Sequence, residues 1–228
     1  MGTTSRSYGR PTTTSSWCEK TVGSCSSEEG TRSCGRARNT CSQWRKSPRR
    51  YARVTRVTTR TLVLIRHAKA EAGGADDAAR SLAPRGRADA GAIGRWLAAE
   101  RLGPERVVVS PARRARQTWD LAAADLGTAA EPVIDGRIYD NTVEDLLAVV
   151  GDAPADIATL ILVGHNPSMA ELAFTLDDGS GDQAARTEMA RNYPTSAIAV
   201  FAIGAEWTAL RGGAGRLVRF AVPRGGGG

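Results

Sequence analysis

The chain has 228 residues, 41% hydrophobic and 24% charged, with a formal net charge of +7. That length supports one ordinary domain with a real core, and no apolar run approaches the ~20 residues of a membrane span. Residues 1–58 hold twelve Lys/Arg against three Glu, a net +9 that leaves −2 for residues 59–228, so a basic nucleic-acid binder is not expected of the folded part.

The N-terminal segment is rich in Ser, Thr, Arg and Gly and poor in core-forming residues. Residues 1–58 are expected to be a disordered basic tail. All four cysteines, Cys18, Cys25, Cys34 and Cys41, lie there at intervals of seven, nine and seven. Those intervals do not match the short paired spacing of a structural zinc site. No apolar signal-peptide core precedes them. Val54 and Val57 each precede a natural domain start, which suggests that residues 1–56 are a spurious upstream extension. Trp17, Trp44 and Tyr51 sit among the tail's charges, yet a solvated coil is expected rather than a nucleic-acid tether.

From Thr61 strands and helices alternate. "TLVLI" (61–65) is a continuous apolar run, as expected of a strand buried on both faces. A loop with Gly73, Gly74 and several Asp and Ala residues follows. Residues 83–102 read as a helix with Pro84 near its start, stopped by Gly103-Pro104. "RVVVS" (106–110) is a second buried strand. Residues 111–127 open a helix with Ser110 as N-cap and Pro111 at its first position.

"PVID" (132–135) is a short third strand and residues 142–151 a helix. "TLILVG" (159–164) is a fourth strand, and 166–176 a helix entered through Asn166-Pro167. Residues 177–192 read as a polar, Gly-rich stretch. "SAIAVFAI" (196–203) and "RLVRFAVP" (216–223) then form a terminal hairpin. The pattern predicts an α/β fold, a three-layer α/β/α sandwich with a mostly parallel, mixed central sheet. The domain is expected to span 59–224, with residues 225–228 a flexible glycine tail.

Polar residues gather where strands end. The first strand delivers Arg66-His67, the second Ser110-Pro111 with Arg113 and Arg114 just beyond, and the fourth His165-Asn166. Ligands of open α/β sheets bind outside the carboxyl ends of the strands. The chain has only two histidines, His67 and His165, and both occupy such an end. Two imidazoles with at least two guanidiniums suit a dianionic phosphoryl group, since arginine offers planar bidentate donors and stays charged. The domain has no cysteine, no G-x-S-x-G elbow, no P-loop and no carboxylate cluster to complete a metal site. Histidine can itself attack phosphorus, and neighbouring Arg66 and Arg114 would disfavour its protonated form.

Three ordered motifs carry a family resemblance. "LIRHAKA" resembles the Arg-His-Gly signature of the histidine phosphatase superfamily, the phosphoglycerate-mutase-like fold. "SPARRARQT" (110–118) resembles its S-P-x-x-R-A-x-Q-T motif and "LVGHNP" (162–167) its second-histidine motif. "LAPRGRADA" (82–90) looks like the family's helix entry. The resemblance covers roughly residues 59–223. It implies His67 as phosphorylated nucleophile, with Arg66, Arg114 and His165 completing the phosphate pocket. The motif spacing selects Arg114 over Arg113, and Asn166 is implied to orient His165 or to touch the ligand, or else simply to cap a helix.

The chain departs from the family pattern in two ways. Ala68 stands where the signature has glycine, and no long insertion carries a general-acid glutamate. A short member without an evident acid resembles the SixA-type phosphohistidine phosphatases, as do "RHAK", "GHNP" and "YPTSAIAV" (193–200). The implied substrate is phosphohistidine on a protein, with no cofactor, no metal, no membrane partner and a cytoplasmic location. A phosphoramidate leaving nitrogen can already carry its proton, so it needs less enzyme acid than an alkoxide. Two alternatives stay open. One is a phosphatase of a small phosphorylated molecule using Asp135 or Asp140 as acid, with Glu144 in the same stretch. The other is a non-catalytic phosphoryl-binding module. Lys69, Arg85 and Arg137 read as exposed charges.

Overall fold

The computed structural model describes residues 59–73 and 76–226. The basic tail with its cysteines, and Gly227 and Gly228, lie outside the described residues. Among the described residues six strands form one sheet in the order β3-β2-β4-β1-β5-β6. They are β1 (Arg60–Arg66), β2 (Arg106–Val109), β3 (Val133–Ile134), β4 (Thr159–Gly164), β5 (Ile198–Ile203) and β6 (Gly215–Ala221). The first four run parallel, while β5 pairs antiparallel with β1 and with β6. The sheet is therefore mixed at one edge, as the terminal hairpin predicts.

Among the described residues five α-helices cover it: α1 (Pro84–Ala99), α2 (Arg113–Leu126), α3 (Val143–Gly151), α4 (Ser168–Leu176) and α5 (Gln183–Arg191). Alternate residues of each strand point to opposite faces. Leu62, Leu64, Leu160 and Leu162 pack with Leu146, Val149, Leu172 and Met189, under α3, α4 and α5. Val63, Ile65, Val107 and Ile161 pack with Ile93, Leu97 and Trp119, under α1 and α2. Both faces are dry, which is why the central strands read as unbroken apolar runs rather than as an alternation.

Two of the differences from the sequence reading fall at the carboxyl edge of the sheet. Helix α2 begins at Arg113 with Ala112 as N-cap, not at Pro111 behind Ser110. Helix α4 begins at Ser168, so Asn166 is not its cap. Helix α5 lies in the stretch read as polar and Gly-rich. Only Ala185 and Met189 of it are buried, too few to give a periodic signal, and its start is fixed by Asp182 accepting from Ala185 N–H at 2.8 Å. At the other end of the chain, Arg224 and Gly225 dock on α1. The buried Asp89 carboxylate accepts from Arg224 Nη1 at 2.9 Å and from Gly225 N–H at 3.0 Å.

Candidate active site

Strand register brings the motifs together. Arg66 pairs with Gly164 and Val109 with Val163. His67, Ser110 and His165 thus leave three adjacent parallel strands at nearly one level, although they are far apart in sequence. The His67 amide donates to Gly164 O at 3.0 Å and the Ser110 amide to Val163 O at 3.0 Å, fixing that level. Gly164 is required by crowding, since a Cβ there would sit 2.8 Å from Ile138 Cγ2 and 3.0 Å from Met169 Sδ.

The motif residues around the ligand positions act as latches. Thr118 Oγ1 accepts from the Ala68 amide at 3.0 Å and donates to Arg114 O at 2.6 Å. Gln117 Oε1 accepts from the Leu82 amide at 2.8 Å. Together they tie α2 to both ends of the loop after β1. The N-terminal turn of α1 presses on the same loop, because a Cβ on Gly86 would come within 1.9 Å of Lys69 O.

The imidazoles of His67 and His165 are buried, with ring centroids 4.9 Å apart. Nδ1 of His67 lies 2.7 Å from Ala68 O. A carbonyl can only accept, so Nδ1 carries the proton and Nε2 keeps its lone pair. Burial, with a further contribution from Arg114 and Arg66, pushes the His67 pKa down to about 4. His165 is pushed down to about 3, by burial first and then by His67 and Arg114. Both rings are neutral at physiological pH. The arginines help as the sequence suggested, but desolvation is the larger cause for both rings.

A cavity of about 260 Å³ opens over the pair, with Arg66, Arg80, Arg114, Asn166 and Thr195 in its wall and Lys69 at its rim. Arg66 is held by Tyr193 O at 2.8 Å, which also accepts from Asn166 Nδ2 at 2.9 Å. Arg114 donates to Asp77 O at 2.6 Å and to Asp77 Oδ2 at 2.9 Å. Asp77 also pairs with Arg80 at 2.9 Å and accepts from Tyr139 Oη at 2.9 Å. Arg66 Nε, Arg114 Nε and His165 Nδ1 are buried with no partner among the described residues. Such orphans are rare in folded proteins, and three on one cleft suit an anionic ligand.

The five residues singled out by sequence, Arg66, His67, Arg114, His165 and Asn166, are all brought to this cleft. Arg113 instead lines a separate cavity of about 350 Å³ with Arg116 and Ile134. Asp135 does not fit the acid role offered for it: both its oxygens bond to Arg137, it lines neither this cleft nor the cavity adjoining it, and the Arg137 guanidinium holds it below the usual carboxylate range. A carboxyl kept ionised in this way is a poor acid. Asp140 does border the cleft, in an adjoining cavity of about 360 Å³ with Asp77 and Tyr139. Arg137 and Arg85 pair with Asp152 and Asp89, away from the cleft, and Lys69 is exposed at its rim. Sequence reasoning missed Asp77, Arg80 and Tyr139, and read Ser110 as a helix cap. In the structure Ser110 Oγ contacts His165 Nε2 at 2.7 Å.

Fold and cleft together define an α/β protein built to handle a phosphoryl group. Residues 62–141 match the histidine phosphatase superfamily (branch 1). The uncharacterized protein Rv1276c of Mycobacterium tuberculosis is 39% identical over 165 residues, covering 70% of this chain and 100% of that protein. Among solved structures, a candidate phosphohistidine phosphatase SixA from Nakamurella multipartitia is 31% identical with a TM-score of 0.65, covering 72% of this chain and 96% of that one. A second candidate SixA, from Agrobacterium tumefaciens, is 26% identical with a TM-score of 0.61, covering 72% and 98%. The chain belongs to the histidine phosphatase superfamily, and it is a hydrolase of that type.

Proposed function

We propose that this chain is a phosphohistidine phosphatase acting on a phosphorylated protein, with His67 Nε2 as the nucleophile. The observation that carries the reading is the His67 Nδ1–H···O=C bond to Ala68 at 2.7 Å, which leaves a neutral nitrogen lone pair inside a cationic cleft. Nε2 attacks phosphorus as the bond to the leaving group breaks, and the leaving group takes the electron pair. The guanidiniums of Arg66, Arg80 and Arg114 balance charge on the phosphoryl oxygens, where it is greatest in the transition state. Water then attacks the phosphorylated imidazole, its proton passes to phosphate, and Nε2 recovers its lone pair.

Two features support a phosphoramidate on a protein. Among the described residues the inner cleft wall holds no carboxylate, so none of them there protonates an alkoxide leaving group. Among the described residues nothing covers the mouth: Lys69, Asp77 and Asp140 at its rim are exposed, leaving room for a ligand attached to a larger surface. The likeness to the two SixA candidates points the same way.

The test is rapid-quench labelling of the full chain with a phosphohistidine protein and, separately, with small phosphate esters. An acid-labile, base-stable phosphoenzyme should form fastest from phosphohistidine and be absent in His67→Ala. Preference for small esters would replace this substrate with a small phosphorylated molecule. Phosphate bound without turnover would mark a binding module.

A further inference from the structure

The cleft is electrostatically divided. Its inner half carries Arg66, Arg80 and Arg114. Its outer half carries Asp77, Tyr139 and Asp140, and Arg114, His165 and Asn166 border both halves, with Arg114 there offset by its ion pair with Asp77. Asp77 is committed to Arg114, Arg80 and Tyr139. Asp140 is exposed and enters none of the ion pairs found among the described residues. Asn166 spends its amide N–H on Tyr193 O, while its Oδ1 is buried with no partner. His165, itself nine-tenths buried, keeps Nδ1 without a partner at the boundary between the halves. The outer half thus offers oxygen acceptors on Asn166 and Asp140, with one uncommitted negative charge, beside a pocket for an anion, and His165 Nδ1 is left to the phosphoryl side.

We infer that the outer half is a leaving-group subsite for a protonated nitrogen, with Asp140 as its charge partner. The inference rests on the phosphatase reading above and names the chemical class of the leaving group. In a phosphoramidate the nitrogen base takes up a proton while still bonded to phosphorus, and so carries positive charge in the bound state. When His67 Nε2 bonds to phosphorus, the P–N pair returns to nitrogen and the group departs as a neutral base, still holding that proton. A carboxylate beside it favours the protonated form that breaks most easily, so the site needs no proton donor of its own. The same charge disfavours leaving groups bearing a carboxylate or a second phosphate.

Asp140 has a left-handed backbone, at φ +52. Asparagine tolerates that conformation, so Asp140→Asn removes the charge with little strain. The experiment compares kcat/KM of the full chain and of Asp140→Asn on three substrates: a phosphorylated imidazole, phosphocholine and a neutral alkyl phosphate. Phosphocholine carries a cation on an ester, so it reads the subsite even if the chain does not act on phosphoramidates. The substitution should lower both cationic-to-neutral selectivity ratios about tenfold at low salt and less at high salt. Failure of the wild type on phosphorylated imidazole alone would remove the phosphohistidine reading while leaving the subsite supported by the phosphocholine ratio. Unchanged phosphocholine and imidazole ratios overturn the subsite. So does a loss confined to the neutral alkyl ester, which would make Asp140 a general acid.

Discussion

Ser110 Oγ lies 2.7 Å from Nε2 of His165 and also accepts from the Ala112 amide at 3.3 Å. With that amide as its donor, the hydroxyl is free to give its own proton to Nε2. His165 Nδ1 then keeps the ring proton, and in the proposed mechanism it donates to a phosphoryl oxygen. Ser110 is fully buried. Ser110→Ala should lower kcat about tenfold and, by leaving Nε2 unpaired, cost about 1–3 kcal/mol of stability. Ser110→Thr should restore kcat, whereas a packing role alone would leave kcat unchanged in both variants.

The depressed histidine pKa values set a pH dependence of stability. A histidine whose folded pKa lies at about 4 or 3 binds fewer protons than the unfolded chain, whose histidines titrate near 6.5. The stability from neutral burial is complete above about pH 6.5 and is lost as pH falls toward the folded values. Urea midpoints should be flat from pH 8 to 7 and decline steadily between pH 6 and 4. In His67→Asn that decline should be shallower.

Asp77 places a carboxylate on Arg114 and Arg80, two of the guanidiniums available to phosphate. Asp77→Asn keeps an oxygen for hydrogen bonding but raises the net charge of the cleft by one. Inorganic phosphate should inhibit the variant about threefold to tenfold more strongly at low salt, and the gain should shrink as salt rises. Weaker inhibition would mean that the charge of Asp77 is needed to hold Arg114 in place.

Gly86→Ala should be destabilising by about 2 kcal/mol or more, because its Cβ would meet the Lys69 carbonyl, a backbone atom that cannot rotate away. Activity should fall with stability, since Lys69 is two residues from His67. Thermal midpoint and kcat measured together test the link. A variant that loses stability while keeping full kcat would separate the helix start from the site.

The fold was legible wherever burial acts on contiguous residues. β1, β2 and β4 are unbroken apolar runs because both faces of the sheet are covered, and the two histidines stood out because the chain has no others. What stayed hidden depends on long-range pairing. Ser110 looks like a helix cap locally, yet its partner is 55 residues away. Asp77 looks like loop filler until Arg114, 37 residues on, reaches it. Helices α2 and α4 both start later than local rules predict, at the same sheet edge. Functional sites are where local and global preferences are expected to part.

The docking of Arg224 and Gly225 on Asp89 gives this edge of the molecule a mechanical side. Asp89 lies one helical turn from Gly86, and Gly86 bears on the backbone of Lys69, beside the cleft. The C-terminal segment, the first turn of α1 and the loop after His67 thus form a short lever. A load on that end of the chain, such as a fused partner or a surface tether, would be felt at the rim of the cleft before it reached the core.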